Sequence, residues 1–197
     1  MKSRYDDPHI DAAGLVSPLL GGPTFALRFR LMRLAWIVVW RCLASWTPAP
    51  LHPWRNRLLR LFGAKLDPTA IVHGSTVIWW PGNLVMGRHA SMGPGVICYN
   101  VATVTLETLV VVSQRAHLCT GSHDIQRREF PLVARPILLQ RNCWIAAEAF
   151  VGPGTRVGEG AVLGARGVAV KTLEPWTVYA GNPARVVAKR QQWSGDP

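Results

Sequence analysis

The sequence predicts an all-β solenoid over residues 66–190, introduced by a helical segment over 24–65 and interrupted by an excursion loop over 124–136. Three observations carry that reading. Blocks of six laid out from Leu139 read LQRNCW, IAAEAF, VGPGTR, VGEGAV and LGARGV, with an aliphatic residue always in first place and the small residues Cys143, Ala149, Thr155, Ala161 and Gly167 in fifth. A basic, tryptophan-rich run, TFALRFRLMRLAWIVVWRCLASW from Thr24 to Trp46, precedes the rows. The rows then break off at LCTGSHD, Leu118 to Asp124, before the charged and irregular IQRREFPLVARP.

A period of six fits neither a 3.6-residue helix nor a simple alternating strand. It fits a coil whose short strands turn a corner every six residues, sending one aliphatic side chain per row into a shared core and placing a small residue at the crowded corner. Upstream the same rows read LDPTAI, VHGSTV and IWWPGN, reset as MGRHAS and MGPGVI, and return as LETLVV and VSQRAH; the register slips near Leu84 and between Cys98 and Leu106.

The other elements follow in order. The 197 residues suffice for one sizeable core plus an appendage. Residues 1–23 mix Pro, Gly and Asp without periodicity and read as an extended arm. From Thr24, a possible cap, a helix runs until Pro48 and Pro50 end it. Net charge is +11, and residues 1–65 hold ten Lys/Arg against three Asp/Glu, so the excess gathers here. The longest uncharged run at the core of this helix, LAWIVVW, is far short of the roughly 20 apolar residues a membrane span needs. Two readings remain. The helix lies at an anionic membrane surface with Trp36, Trp40 and Trp46 at headgroup depth, or it packs its apolar face on the rest of the protein. A second helix, WRNRLLRLF, follows Pro53, offers Leu58, Leu59 and Phe62 to the same surface, and ends at Gly63. Residues 191–197 form a tail. No nucleic-acid partner is expected, because the basic residues alternate with a wide apolar face and lack a recognised reading motif. The four cysteines show no paired spacing and no cleavable signal peptide is recognised, so a reducing, cytoplasmic setting is expected.

With its rows laid out, the chain resembles the hexapeptide-repeat O-acetyltransferases over roughly residues 66–190. Within that family it is similar to the colanic-acid-biosynthesis acetyltransferases on PLHPWRNRLLRLFGAK, SQRAHLCTGSHD, NCWIAAEAFVGPGTRVGEGAVLGARGV and PWTVYAGNPARVV, and also to the galactoside and maltose acetyltransferases. The resemblance implies a left-handed parallel β-helix, a hand the repeat alone does not give. It further implies a homotrimer with acetyl-CoA in clefts between neighbouring solenoids, no metal, and a sugar or lipid-linked oligosaccharide as acceptor in exopolysaccharide biosynthesis.

Acetyl transfer to a hydroxyl needs a base, and histidine is the side chain suited to it near neutral pH. The resemblance assigns that role to His123, which stands where the repeat gives way to the loop; the alternative is a histidine that merely caps a coil. Cys119 offers a rival route through an acetyl-enzyme, against the plain reading of a small core cysteine. His117 reads as structural, and Asp124, adjacent in extended chain, points away from the imidazole. For the acceptor, Asn100 in ICYNV resembles a family asparagine, or is a turn residue, and Trp144 in NCWIAA matches a tryptophan beside the cleft. For the donor, the matching backbone positions are Ala147, Ala165, Val170 and Lys171. Arg185 in GNPARVV is the candidate for the phosphates, with Lys189 and Arg190 either assisting or forming a solvated tail. Two other functions compete: a zinc enzyme similar to γ-carbonic anhydrases using His89, His117 and His123, and a non-catalytic membrane-associated scaffold.

Overall fold

The computed structural model describes residues 24–192; the arm assigned to 1–23 and the end of the tail, 193–197, lie outside the described residues. The rows from Lys65 onward wind into a solenoid of three parallel sheets. Sheet one stacks Lys65–Leu66, Leu84–Met86, Val104–Leu106, Ile137–Leu139 and Arg156–Val157. Sheet two stacks Ile71–Val72, Ser91–Met92, Val111–Val112, Trp144–Ile145, Val162–Leu163 and Thr177–Ala180, to which Arg185–Lys189 adds an antiparallel edge. Sheet three stacks Val77–Ile78, Ile97–Tyr99, His117–Cys119, Phe150–Val151 and Val168–Ala169.

First-place residues of the rows point inward. Leu118, Leu139, Ile145, Val151, Val157 and Leu163 are all fully buried, and fifth-place Ala149, Ala161 and Ala116 fill the corners beneath them. A regular coil carries Ile145 to its partner Leu163 in three hexapeptides. The departures from that length all fall at one corner, between sheets three and one. Two extra residues enter at Trp79–Asn83, where Pro81–Asn83 makes a 3-10 turn, and two more at Asn100–Thr103. The long excursion leaves there as well, and the last coil is shortened there between Ala169 and Leu173. The register slips in the sequence are therefore stacked in space.

The helical segment forms two helices, α1 (Leu27–Leu43) and α2 (His52–Leu61). Helix α1 starts later than expected: Ala26, not Thr24, is its N-cap, with no side-chain cap bond. Pro53 sits in the first turn of α2 where its missing N–H costs nothing, and Gly63 at φ +95° ends that helix. Both helices pack beneath the first coil, and the reason lies in hydrogen bonding. Higher up, the carbonyls of Met86, Ala90, Met92, Val96 and Cys98 accept N–H bonds from the coil below. In the first coil the equivalent carbonyls have no coil beneath them, and a buried carbonyl left unbonded is expensive. Five side chains satisfy all five: Arg60 bonds Leu66 O, Asn56 bonds Ala70 O, Arg55 bonds Val72 O, Trp40 Nε1 bonds Thr76 O, and Trp36 Nε1 bonds Ile78 O.

That arrangement bears out the packing of α1 on the rest of the protein and corrects the expected placement of two of its tryptophans. Trp36 and Trp40 are buried on the solenoid edge rather than held at headgroup depth, with Phe62 packed against Trp36 and Leu58 and Leu59 buried beside them. Only Trp46 of the three tryptophans is open to solvent. No described helix is long and apolar enough to cross a membrane.

Candidate active site

The excursion begins three residues earlier than the sequence suggested. Gly121–His123 pairs antiparallel with Leu132–Ala134, His123 opposite Leu132, so a two-stranded ribbon carries a short loop away from the corner. At its tip the Asp124 carboxylate accepts the N–H of Gln126, which keeps it at the turn and away from the histidine. Phe130, at φ 48°, turns its carbonyl and ring back toward His123. The imidazole stacks on the Phe130 ring at 4.3 Å and 7°, and Nδ1 lies 2.9 Å from the Phe130 carbonyl oxygen. A carbonyl only accepts, so the proton of a neutral ring sits on Nδ1 and the lone pair on Nε2. Phe130 thus orients His123 and selects its tautomer, a role the sequence reading missed; the aromatic between acidic Glu129 and Pro131 was the only signal.

At the root of the ribbon, the residues following the inward positions of the first three strands of sheet three form an outward column, Trp79, Tyr99 and Cys119. Trp79 and Tyr99 meet edge to face at 5.8 Å, and the Arg33 guanidinium of α1 lies 4.2 Å over the Trp79 ring. Gly121 has no side chain because a Cβ there would come within 2.8 Å of the Tyr99 ring. Partial burial pushes the Cys119 thiol above its ordinary range, so the group stays protonated at neutral pH; its Sγ donates to the Gly121 carbonyl at 3.3 Å. Burial lowers the basicity of His117, whose ring meets Phe150 edge to face at 5.3 Å.

Asn100 serves the corner. It is fully buried, its Oδ1 accepts the Trp80 N–H at 3.1 Å and its Nδ2 donates to the Trp80 carbonyl at 2.7 Å, so the contact with the acceptor expected of it has no exposed atom to make it. Trp144 is 44% exposed on the outer face of sheet two, with Nε1 donating to Ser113 Oγ. Sheet two faces away from the corner that bears the ribbon, so one chain does not bring Trp144 and His123 into the same pocket.

The positions expected to meet the donor divide likewise. Ala147 and Ala165 stack on consecutive coils at the corner between sheets two and three, where the Ala147 carbonyl accepts Arg166 N–H. Beside them Glu148 bridges Arg115 and Arg166, whose guanidinium groups hold its carboxyl below the usual range. Val170, Lys171 and Arg185 do come together, lining a pocket of ≈ 270 Å³ with Tyr179 and Pro183. Arg185 is exposed at its rim. The remaining two cations are committed elsewhere: Lys189 donates to Thr177 Oγ1 at 2.8 Å, and Arg190 donates to the carbonyls of Asn142 and Gly160 at 3.0 Å each, stitching the terminal strand to the coils. A loosely solvated tail is therefore not what Lys189 and Arg190 form.

Known proteins place this arrangement. No model of a protein family matches the chain. WcaF of Escherichia coli (strain K12), named as a candidate colanic acid biosynthesis acetyltransferase, is 39% identical over 155 residues, 79% of this chain and 85% of the relative. Among solved structures, a galactoside acetyltransferase in complex with coenzyme A superposes with a TM-score of 0.75 at 22% identity, covering 84% of each chain. A maltose O-acetyltransferase from Clostridium difficile 630 does so with a TM-score of 0.74 at 22% identity, covering 85% of this chain and 90% of the other. The protein is thus an acetyltransferase built on a coiled solenoid. It belongs to the hexapeptide-repeat acetyltransferase family, and its coil is the left-handed parallel β-helix.

Proposed function

We propose that this acetyltransferase moves the acetyl group of acetyl-CoA onto a sugar hydroxyl in exopolysaccharide biosynthesis, with His123 as the general base. The observation that carries the reading is the oriented imidazole: Nδ1 is engaged by the Phe130 carbonyl at 2.9 Å, and Nε2 keeps its lone pair at the edge of the ribbon. An alcohol attacks a thioester poorly until its proton is removed as the new C–O bond forms. Nε2 takes that proton, the oxygen adds to the thioester carbonyl, and the tetrahedral intermediate collapses with cleavage of the C–S bond. The imidazolium then returns the proton to the departing CoA thiolate. Attack is direct, because the half-buried, protonated Cys119 thiol is a poor nucleophile.

Val170 and Lys171 hold the donor through backbone groups, with Arg185 toward its phosphates and the N–H groups at Ala147 and Ala165 along its length. Trp144 shields the cleft. Since these groups lie on different sides of one chain, the site is completed between copies in a homotrimer. Exposed Ile71, Val111 and Trp144 on sheet two, and Val77 and Ile97 on sheet three, supply apolar faces for such contacts. The acceptor lies against Tyr99, a ring suited to the C–H face of a sugar, with Arg33, stacked over Trp79 beside it, placed for the phosphate of a lipid-linked oligosaccharide. A donor made in the cytoplasm puts the reaction there.

The test supplies labelled acetyl-CoA with free sugars, lipid-linked oligosaccharides and serine. The wild type is expected to acetylate a sugar hydroxyl, and His123→Ala to lose about 10²–10⁴ in kcat with donor binding retained. Undiminished turnover in the variant removes His123 from the chemistry, and a preference for serine removes the sugar.

A further inference from the structure

Capping the solenoid uses only one face of α1. Phe29, Trp36 and Trp40 face inward, whereas Leu27, Leu31, Leu34 and Val38, each more than half exposed, follow one another along the opposite side at the spacing of a single helix face. The solvent side of a surface helix is ordinarily polar. Here its centre line is aliphatic, and the exposed arginines Arg30 and Arg41 flank it on one side and Arg28 on the other. The stripe continues into Trp46, 71% exposed, and Trp54. Both indole N–H groups are satisfied inside the chain, by Cys42 O and Leu43 O at 2.8 Å each, so neither ring needs water as a partner.

From these features we infer that the outer face of α1 is a docking surface for an anionic bilayer, its leucines entering the acyl boundary and its arginines meeting the headgroups. Charge decides between occupants. From Thr24 to Leu66 the sequence holds no Asp or Glu, so a second copy laid face to face would set Arg28, Arg30 and Arg41 against their own kind. An anionic lipid surface supplies the missing countercharge over the whole face and demands no register. The inference stands apart from the identity of the acceptor, since it concerns a face that the proposed chemistry does not touch.

The experiment is sedimentation of the full-length protein with vesicles of phosphatidylethanolamine and phosphatidylglycerol, compared with phosphatidylcholine alone. Wild type is expected to partition onto the anionic vesicles, and less so as salt is raised. Arg30→Gln and Arg41→Gln should each weaken partition by about fivefold, and Leu31→Glu with Leu34→Glu by about tenfold or more. Thermal melts check that these outward-facing changes leave the fold intact, and release of CoA with a soluble acceptor should be unaltered in the leucine variant. Failure of the wild type to bind anionic vesicles overturns the inference. So does equal binding to both vesicle types, or a leucine variant that changes the mass in sedimentation velocity while keeping its lipid partition, which would make the face a protein interface. Lost CoA release together with intact lipid binding would instead count against the proposed reaction.

Discussion

Replacing Arg55 by Met should destabilise the protein strongly. Its side chain is fully buried, and its guanidinium donates to Val72 O at 2.6 Å, Thr47 Oγ1 at 2.8 Å, Pro48 O at 2.8 Å, Ala49 O at 2.8 Å and Thr47 O at 3.3 Å. One cation thus joins the edge of sheet two to the turn between α1 and α2. Hydrogen bonds to a charged group are worth about 1.5–3 kcal/mol each, but they share one desolvated donor and do not add. Met matches the length and relieves the buried charge while orphaning the carbonyls, so the net loss is expected at about 3–5 kcal/mol. For a chain of this size that is a fall of roughly 6–20 °C in Tm. The assay is thermal and urea melting at one fixed protein concentration, because association with other copies would shift the midpoint. Arg55→Lys should recover only part of the loss, since one ammonium cannot span acceptors on two sides. An Arg55→Met protein that melts within about 2 °C of wild type would refute the reasoning that orphaned edge carbonyls govern this cap.

Other outcomes follow from the site. Cys119→Ala should retain acetyl transfer within about threefold, as expected of a side chain that only packs; in the wild type, iodoacetamide should label exposed Cys42 well before Cys119, whose labelling should rise only as pH approaches and passes its ordinary thiol range. Burial holds the folded-state pKa of His117 below 6.5, so the unfolded chain binds the proton more readily. The resulting stability is present above pH 6.5 and is lost as pH falls through and below that value, and His117→Phe should flatten this dependence in urea melts. Arg185→Ala should raise the KM for acetyl-CoA by roughly tenfold with little change in kcat, and the difference should shrink when the donor lacks its 3'-phosphate.

The solenoid was legible because burial there repeats. Each first-place aliphatic and each small fifth-place residue answers the same geometric demand, and a failure of the period at Leu84, after Cys98 and at LCTGSHD marks a place where the chain leaves the coil. The underside was not legible for a physical reason. Indole and guanidinium groups that bond strand carbonyls have the same composition as those that bond lipid headgroups, so Trp36, Trp40, Arg55 and Arg60 carry no sequence mark of their partner. Asn100 is ambiguous in sequence for a related reason, since an amide at a register break suits a ligand or a neighbouring turn equally; in the structure its two bonds go to Trp80. His123 could be selected from its place at the break, whereas its orientation depends on Phe130, seven residues away across a ribbon whose pairing no local pattern announces.

Confinement of every length change to the corner between sheets three and one gives the molecule a single expansion joint. Adding residues there costs little beyond loop closure, about 0.6 kcal/mol for each doubling of length. The same insertion at either other corner would throw the inward column of a whole coil out of step. The ribbon can therefore be lengthened, shortened or exchanged without disturbing the coils after it, whereas Trp79–Asn83 and Asn100–Thr103 are pinned to each other by buried Asn100 on Trp80 and by Asn83 on Val101. For engineering, this makes the ribbon a cassette, and its two shorter neighbours and the remaining corners a frame to be left alone.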